Sequence, residues 1–366
     1  MIKKTIRHIL LILTILSALA LLWSSLTTII SPKYLHVLAF AGFAFPIFWL
    51  ANFTFLILNS LRKSWRVLIP LAALIITWNQ LGNTFQTGKW VKSPESNSQK
   101  AIKIMSFNTR MFDYYQWTGR KNTLDEVLKF IRRENPDILC IQEFFSYDKH
   151  TNFSENSIVF RLNEFPYRHI EYNAIGKNGR KFGQATFSKF PITGEQQLNF
   201  TNTTNFSIQT DIKVHNQTIR VFNNHLESIR LKAKHYNFLD SLNTLSETER
   251  NAGIREIAIK LNTALGQRAN QAETIGRHIK NSPYPVLVCG DFNDTPVSYV
   301  YRTMRGKLSD SFVEAGFGFG GTYNGKLPSF RIDFIFHDPQ FEAIHFERFE
   351  KDYSDHYPIM ATILLK

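Results

Sequence analysis

Carboxylate, amide and imidazole side chains recur in this sequence at one kind of place, the end of a short apolar run. Val286-Leu287-Val288-Cys289 reads as a buried strand, and Gly290 breaks it. Asp291 and Asn293 follow as alternate residues that can point the same way from a strand end. Pro296 then prevents continuation of the ladder. Such groups at the lip of a buried strand are costly unless something binds there. Three other runs end alike: 102–107 delivers Asn108, 138–142 delivers Glu143 and 219–224 delivers His225. A fourth, 331–336, carries Asp333 among large apolar residues. Ser354-Asp355-His356-Tyr357-Pro358 adds an acid and an imidazole before the last strand. Oxygen donors suit a hard cation such as Mg²⁺, and imidazole changes charge near neutral pH. Each segment alone also reads as a polar turn, or as a structural histidine with satisfied partners.

Strand-like and helix-like stretches alternate from Ala101 onward, which implies an α/β fold of two packed sheets flanked by helices. Leu124, Val127, Leu128 and Ile131 recur at helical spacing before Pro136. Runs 206–214 and 218–224 are joined by His215-Asn216-Gln217 as a hairpin. Stretches 231–245 and 254–265 read as amphipathic helices joined by polar 246–251, with 267–279 a further helix. This insertion overhangs a cleft, contacts a bilayer or is a solvated excursion. Segment 316–329 is rich in Gly and Tyr and reads as a loop, either gating the site or serving as a connector.

Taken in order, these segments, with GDFN at 290–293 and SDH at 354–356, resemble the endonuclease/exonuclease/phosphatase superfamily. Those are Mg-dependent phosphoesterases related to deoxyribonuclease I, neutral sphingomyelinases and inositol polyphosphate phosphatases. The resemblance covers about 101–366 and implies a four-layer α/β/β/α sandwich. It further implies one Mg²⁺ or Mn²⁺ held by Glu143, Asn108 and Asp355. Asp291 would activate water, Asn293, His225 and His356 would contact the phosphate, and Asp333 would orient His356. Arg110 stands where some nuclease relatives have an Asp, a departure that suggests a single metal. Tyr114, Tyr115 and Trp117 are either a substrate wall or packing. The implied activity is hydrolysis of a phosphodiester or phosphomonoester of a phospholipid or sphingolipid head group, a nucleic acid or a small molecule. A non-catalytic binding module on the same fold is the competing reading. Relatives of that kind usually lose the residues that remain here as Glu143, Asp291 and His356.

The first hundred residues differ in kind. Met1 to Lys92 contains no Asp or Glu but nine Lys and Arg. The chain of 366 residues carries +13, and without those nine the rest has 34 basic against 30 acidic residues, or +4. The basic excess is therefore a topology signal and poor evidence for a nucleic-acid surface. Segments 9–30 and 35–61 are long enough to span a bilayer, which takes roughly 20 apolar residues. Pro46 is a candidate kink in the second, and 67–78 is a shorter third span. None carries an intramembrane acid or base of the kind a transporter uses. Lys3, Lys4 and Arg7 precede the first span, and Arg62, Lys63 and Arg66 follow the second. The positive-inside rule places both flanks in the cytoplasm. Three spans put the catalytic domain outside the inner membrane of a bacterium, and two would put it inside. The expected division is a membrane region 1–84, a linker 85–100 and a catalytic domain 101–366. Cys140 and Cys289 lie within apolar strands and read as small buried hydrophobes.

Overall fold

The computed structural model describes residues 2–88, 101–231, 233–241 and 244–365. Most of the expected linker thus lies outside the described residues. The chain forms two compact units. One comprises Gln86–Ser228, Thr274–Asn293 and Arg305–Lys366. The other comprises Met1–Phe85, Ile229–Glu273 and Asp294–Met304.

The first of these is a sandwich of two six-stranded sheets. Its strands are β1 (Ala101–Asn108), β2 (Ile138–Tyr147), β3 (Tyr167–Ile175) and β4 (Arg180–Ser188). Next come β5 (Ile192–Asn199), β6 (Phe206–Val214), β7 (Gln217–His225) and β8 (Val286–Asp291). The last are β9 (Ser309–Asp310), β10 (Asp333–His337), β11 (Glu342–Arg348) and β12 (Ile359–Leu364). One sheet has the order β11-β12-β1-β2-β4-β3 and the other β9-β10-β8-β7-β6-β5. Each holds one parallel pair at its centre, β1 with β2 and β7 with β8.

Period-two alternation explains why the central strands read as unbroken apolar runs. Ile102 and Ile104 face the other sheet and pack with Ile219, Val221, Leu287 and Ile335. Met105 and Phe107, on the opposite face, pack with Leu124, Val127, Leu128 and Ile131 of the helix Thr123–Glu134. That helix has acids in its first turn, Arg132 and Arg133 in its last, and left-handed Asn135 as its cap. Cys140 and Cys289 are free thiols in the intersheet core.

Helical pattern misled the reading of the insertion. Ala233–Asp240 is a short helix, but Glu247–Lys280 is one helix of 34 residues with no break near Gly266. The polar stretch read as a linker is its start. The Ser246 N–H donates to Glu249 Oε2 at 3.1 Å, and the Glu249 N–H donates to Ser246 Oγ at 3.3 Å. That is a capping box.

The N-terminal stretch also differs from three plain spans. Lys4–Thr28 is the one described helix long and apolar enough to cross a membrane alone. The expected second span is broken at Ala44 into His36–Phe43 and Phe45–Leu61. Pro46 lies in the first turn of the latter, where its missing N–H has no helical partner to lose. Trp65–Ile76 and Trp78–Thr84 pass only together, bent by 55°. Amides join the helices: Asn52 Nδ2 donates to Ser17 Oγ at 2.9 Å, and Asn59 Nδ2 to Thr14 Oγ1 at 3.3 Å.

Beneath the sandwich's far edge, Arg331 Nη1 meets Asp310 Oδ2 at 2.9 Å, both side chains being buried. The guanidinium lies between the rings of Phe312 and Phe334, 4.4 and 4.6 Å from their centroids. Asp310→Ala would strip that buried cation of its carboxylate. We expect a loss of about 3–5 kcal/mol of stability, read as a lower denaturation midpoint against wild type.

Candidate active site

The site is built at the ends of the two central parallel pairs. Asn108 ends β1 in register with Gln142 of β2, and His225 ends β7 in register with Asp291 of β8. Asp333 starts β10 opposite Asp291. Three neighbouring strands of one sheet thus deliver His225, Asp291 and Asp333 side by side. Glu143 is re-aimed by a bulge in the β2–β4 pairing between Ile141 and Phe144, and it sits at φ 52°. Gly290 has φ 129°, and a Cβ there would collide with the Asn224 backbone. Only glycine lets β8 run this close to β7 at its end.

All eight residues expected from the sequence lie at this locus. Asp291 is the hub. Its Oδ2 accepts from Asn108 Nδ2 and Asn293 Nδ2, each at 3.0 Å. His225 Nε2 and His356 Nε2 stand 3.7 and 3.6 Å from the same oxygen. Its Oδ1 accepts the Asn293 N–H at 2.8 Å. Glu143 Oε1 lies 3.4 Å from Asn108 Nδ2 and 3.7 Å from His225 Nε2. The amide nitrogen of Asn108 therefore faces both carboxylates, while its Oδ1 accepts the Arg110 N–H at 3.1 Å. His356 Nδ1 is 2.9 Å from Asp333 Oδ2. Among the described residues, Asp291, Asp333 and His356 form the set whose possible metal-binding atoms all lie within 4.8 Å of one another. That set differs from Glu143, Asn108 and Asp355. Asp355 Oδ2 lies 3.4 Å from Arg110 Nε.

The electrostatics follow from crowding acids in a buried place. Burial, and next the Asp355 charge, raise the Glu143 carboxyl to about 7. Burial also raises Asp291, with the His356 imidazole pulling against it. For His356 burial opposes protonation, but Asp333 and Asp291 outweigh it and hold the ring well above the ordinary histidine range. The charged form of His356 is thus favoured, with carboxylates at both nitrogens.

A supporting layer escaped the sequence reading. Gln142 Nε2 donates to Asn223 Oδ1 at 2.7 Å, and Asn223 Nδ2 donates to the Ala185 carbonyl at 3.0 Å, joining the two sheets. The signal was available: Gln142 directly precedes Glu143 and Asn223 stands two residues before His225, each a polar side chain in an apolar run. Ser354 Oγ donates to the Asn108 carbonyl at 2.8 Å. Thr322 Oγ1 accepts the N–H groups of Ile332 and Asp333 at 3.0 and 3.1 Å. The glycine-rich loop reaches the site through Asn324, whose N–H donates to the Asp355 carbonyl at 2.7 Å.

Beside the acids, Arg110, Met111, Phe112 and Asp113 are four successive left-handed residues, φ 46° to 57°. Such backbone is strained in non-glycine residues. Buried Asp113 pins the turn, accepting the Thr118 N–H at 3.2 Å and the Thr123 hydroxyl at 3.1 Å. Arg110 lies over Trp117, 4.5 Å from the ring centroid, and Trp117 is 5.1 Å from Tyr115. Tyr115 and Trp117 are exposed, whereas Tyr114 packs on Phe145 at 4.5 Å. The three aromatics thus divide between surface and core.

A family model described as the Endonuclease/Exonuclease/phosphatase family matches residues 105–356. A second, for a domain of unknown function (DUF8431), matches residues 7–84. A comparison with curated proteins by sequence gave no match. The fold is similar to the crystal structure of an endonuclease/exonuclease/phosphatase from Beutenbergia cavernae, with TM-score 0.54 and 15% identity, covering 73% of this chain and 72% of that one. A family protein from Bacteroides thetaiotaomicron gives TM-score 0.51 at 15% identity, covering 73% of this chain and 98% of that one. Humanized D. rerio TDP2 also gives 0.51 at 15% identity, covering 72% and 99%.

Because Glu143 must lose its proton to hold a cation, proton and metal compete below about pH 7. Mn²⁺ affinity, followed by paramagnetic resonance, should fall about tenfold per pH unit below that point and level off above it. Glu143→Gln should flatten the profile and weaken binding throughout.

Proposed function

The chain belongs to the Endonuclease/Exonuclease/phosphatase family, and from that premise we propose that it is a membrane-anchored, divalent-metal-dependent phosphoesterase. The observation that carries the reading is the convergence of Glu143, Asn108, His225, Asp291, Asn293, Asp333 and His356 around one carboxylate oxygen and its neighbours. A hard divalent cation, Mg²⁺ or Mn²⁺, fits this donor chemistry. The donors are carboxylate oxygens, and Glu143 is a carboxylate whose charge burial and Asp355 disfavour unless a cation joins it. Glu143 would hold the ion, with Asn108 and Asp355 beside it. A bound ion would supply charge at a phosphoryl oxygen.

The residues divide the remaining work. Asp291 orients the attacking water and takes its proton, and the Asn108 and Asn293 amides fix that carboxylate in place. General-base help of this kind contributes typically 10²–10⁴-fold. Asp333 holds His356 Nδ1, which turns Nε2–H toward the reacting phosphate. His356 as imidazolium and His225 then donate to its oxygens, and Asn293 assists. Donors aimed where negative charge develops lower the barrier most. Arg110 over Trp117 favours a second anionic group on the substrate and disfavours a quaternary ammonium. An anionic lipid head group or a nucleic acid suits that wall better than a choline ester.

Contacts within the helical unit support one side of the membrane. Thr27 Oγ1 donates to the Val297 carbonyl at 2.8 Å, and Lys33 Nζ meets Glu273 Oε2 at 2.6 Å. Both contacts lie by the connection between the first two apolar stretches, which has one Lys against three basic residues on either flank. That connection is the outer one by the positive-inside rule. With three spans in 1–84, this supports a catalytic domain, 101–366, outside the plasma membrane.

Purified full-length protein with Mg²⁺ should hydrolyse bis-p-nitrophenyl phosphate, and Asp291→Ala or His356→Ala should lower kcat at least about 10³-fold with folding intact. Activity near wild type in either variant would defeat the assignment. Parallel assays on DNA, RNA, sphingomyelin and phosphoinositides would rank the substrates. In a bacterial host, alkaline phosphatase fused after Lys366 should be active and a fluorescent protein there dark.

A further inference from the structure

The loop carrying Asp291 and Asn293 does not end in the sandwich. Asn293 is left-handed, φ 53°, with its side chain tied to Asp291 and, at 3.1 Å, to the Leu226 carbonyl. The next residue, Asp294, begins the stretch that belongs to the helical unit. Asp294 is buried and lies 3.6 Å from the buried guanidinium of Arg268. Val297 is 2% exposed and packs among Ala18, Leu21, Phe45, Ala73 and Leu74 of the N-terminal helices. The Thr27 hydroxyl points at the Val297 carbonyl at 2.8 Å, sharing its proton with the Ser24 carbonyl at 2.7 Å. A Cβ on Gly42 would stand 2.5 Å from that same carbonyl and 2.9 Å from Thr27 Oγ1. Further along, Tyr299 OH donates to Glu273 Oε1 at 3.1 Å, and Glu273 also holds Lys33.

These contacts are specific to one short turn. Its upstream half is fixed by the strand β8 and its downstream half by helices some 270 residues earlier in the chain. Between the two halves stands Asn293, in the left-handed region that Asn adopts more readily than most non-glycine residues. We infer that Thr27 and Gly42 are positioning residues: the N-terminal helices clasp the turn after Asn293 and so hold Asp291 and Asn293 in their catalytic setting. The helices thereby act on the chemistry as well as on location. A displacement on the order of 1 Å at a catalytic group can cost roughly a hundredfold in rate, so a clasp on an adjacent turn has ample leverage. The inference rests on the role assigned above to Asp291.

The test uses full-length protein in detergent with bis-p-nitrophenyl phosphate and Mn²⁺. Thr27→Val removes the hydroxyl and keeps the volume, and Thr27→Ser keeps the hydroxyl. The expected result is a kcat about tenfold lower in Thr27→Val, with KM and Mn²⁺ affinity unchanged and near-normal kcat in Thr27→Ser. Gly42→Ala should behave as Thr27→Val or worse. If Thr27 acts through the turn, its effect should shrink in an Asn293→Ala background, because the two changes then damage one element. A wild-type kcat in Thr27→Val beside an inactive Asp291→Ala would overturn the inference alone. Equal losses of Thr27→Val in the presence and absence of Asn293 would reduce the clasp to packing and overturn it too. Equal turnover by wild type and Asp291→Ala would remove the assigned reaction, and the inference with it.

Discussion

One buried histidine holds this site together. Strand pairing sets Asp291 opposite Asp333, two acids on neighbouring strands with almost no solvent to screen them. Like charges so placed repel strongly in a low-dielectric interior. His356 stands between them, with Nδ1 2.9 Å from one and Nε2 3.6 Å from the other. It comes from the segment before β12, in the opposite sheet from both acids. His356 therefore offsets part of the pair's charge and ties the two sheets together at the candidate site. Ser354, two residues earlier, adds a hydrogen bond to the end of β1.

That tie works because the backbone around it departs from regular geometry where a side chain has to turn. Regular strands alone would send Glu143 elsewhere. The bulge in β2 rotates it into the site, and the left-handed residues at Arg110 and Asn293 bring the flanking turns inward. Below them the Gln142–Asn223 bond ties sheet to sheet. Polar groups so placed in a core are costly unless fully partnered, and here the partners are each other and strand carbonyls. The strain and the buried polarity thus sit directly beneath the groups they orient.

Much of the candidate site was legible because Asn108, Glu143, His225 and Asp291 stand at the ends of apolar runs, where a polar residue is unexpected. The supporting groups were not. Thr322 and Ser354 are ordinary loop residues until the chain brings them to Asp333 and Asn108. Among the helices the errors had local causes. Pro46 signalled a kink in the second apolar stretch, but the helix breaks just before it, at Ala44, and Pro46 opens the next helix. Polar residues 246–251 looked like a connector because a capping box and a linker share composition, and only the hydrogen bonds separate them.

Residue type and spacing alone determined that this chain has alternating strands and helices, an apolar N-terminal region without acids, and polar groups waiting at strand ends. Those are properties of short windows, governed by period and composition. Tertiary structure alone decided which strands are neighbours, that Asp291 faces Asp333 across a ladder, and that Val297 lies beneath Thr27. Those facts depend on register and on contacts between residues far apart in the chain, where no local preference reaches.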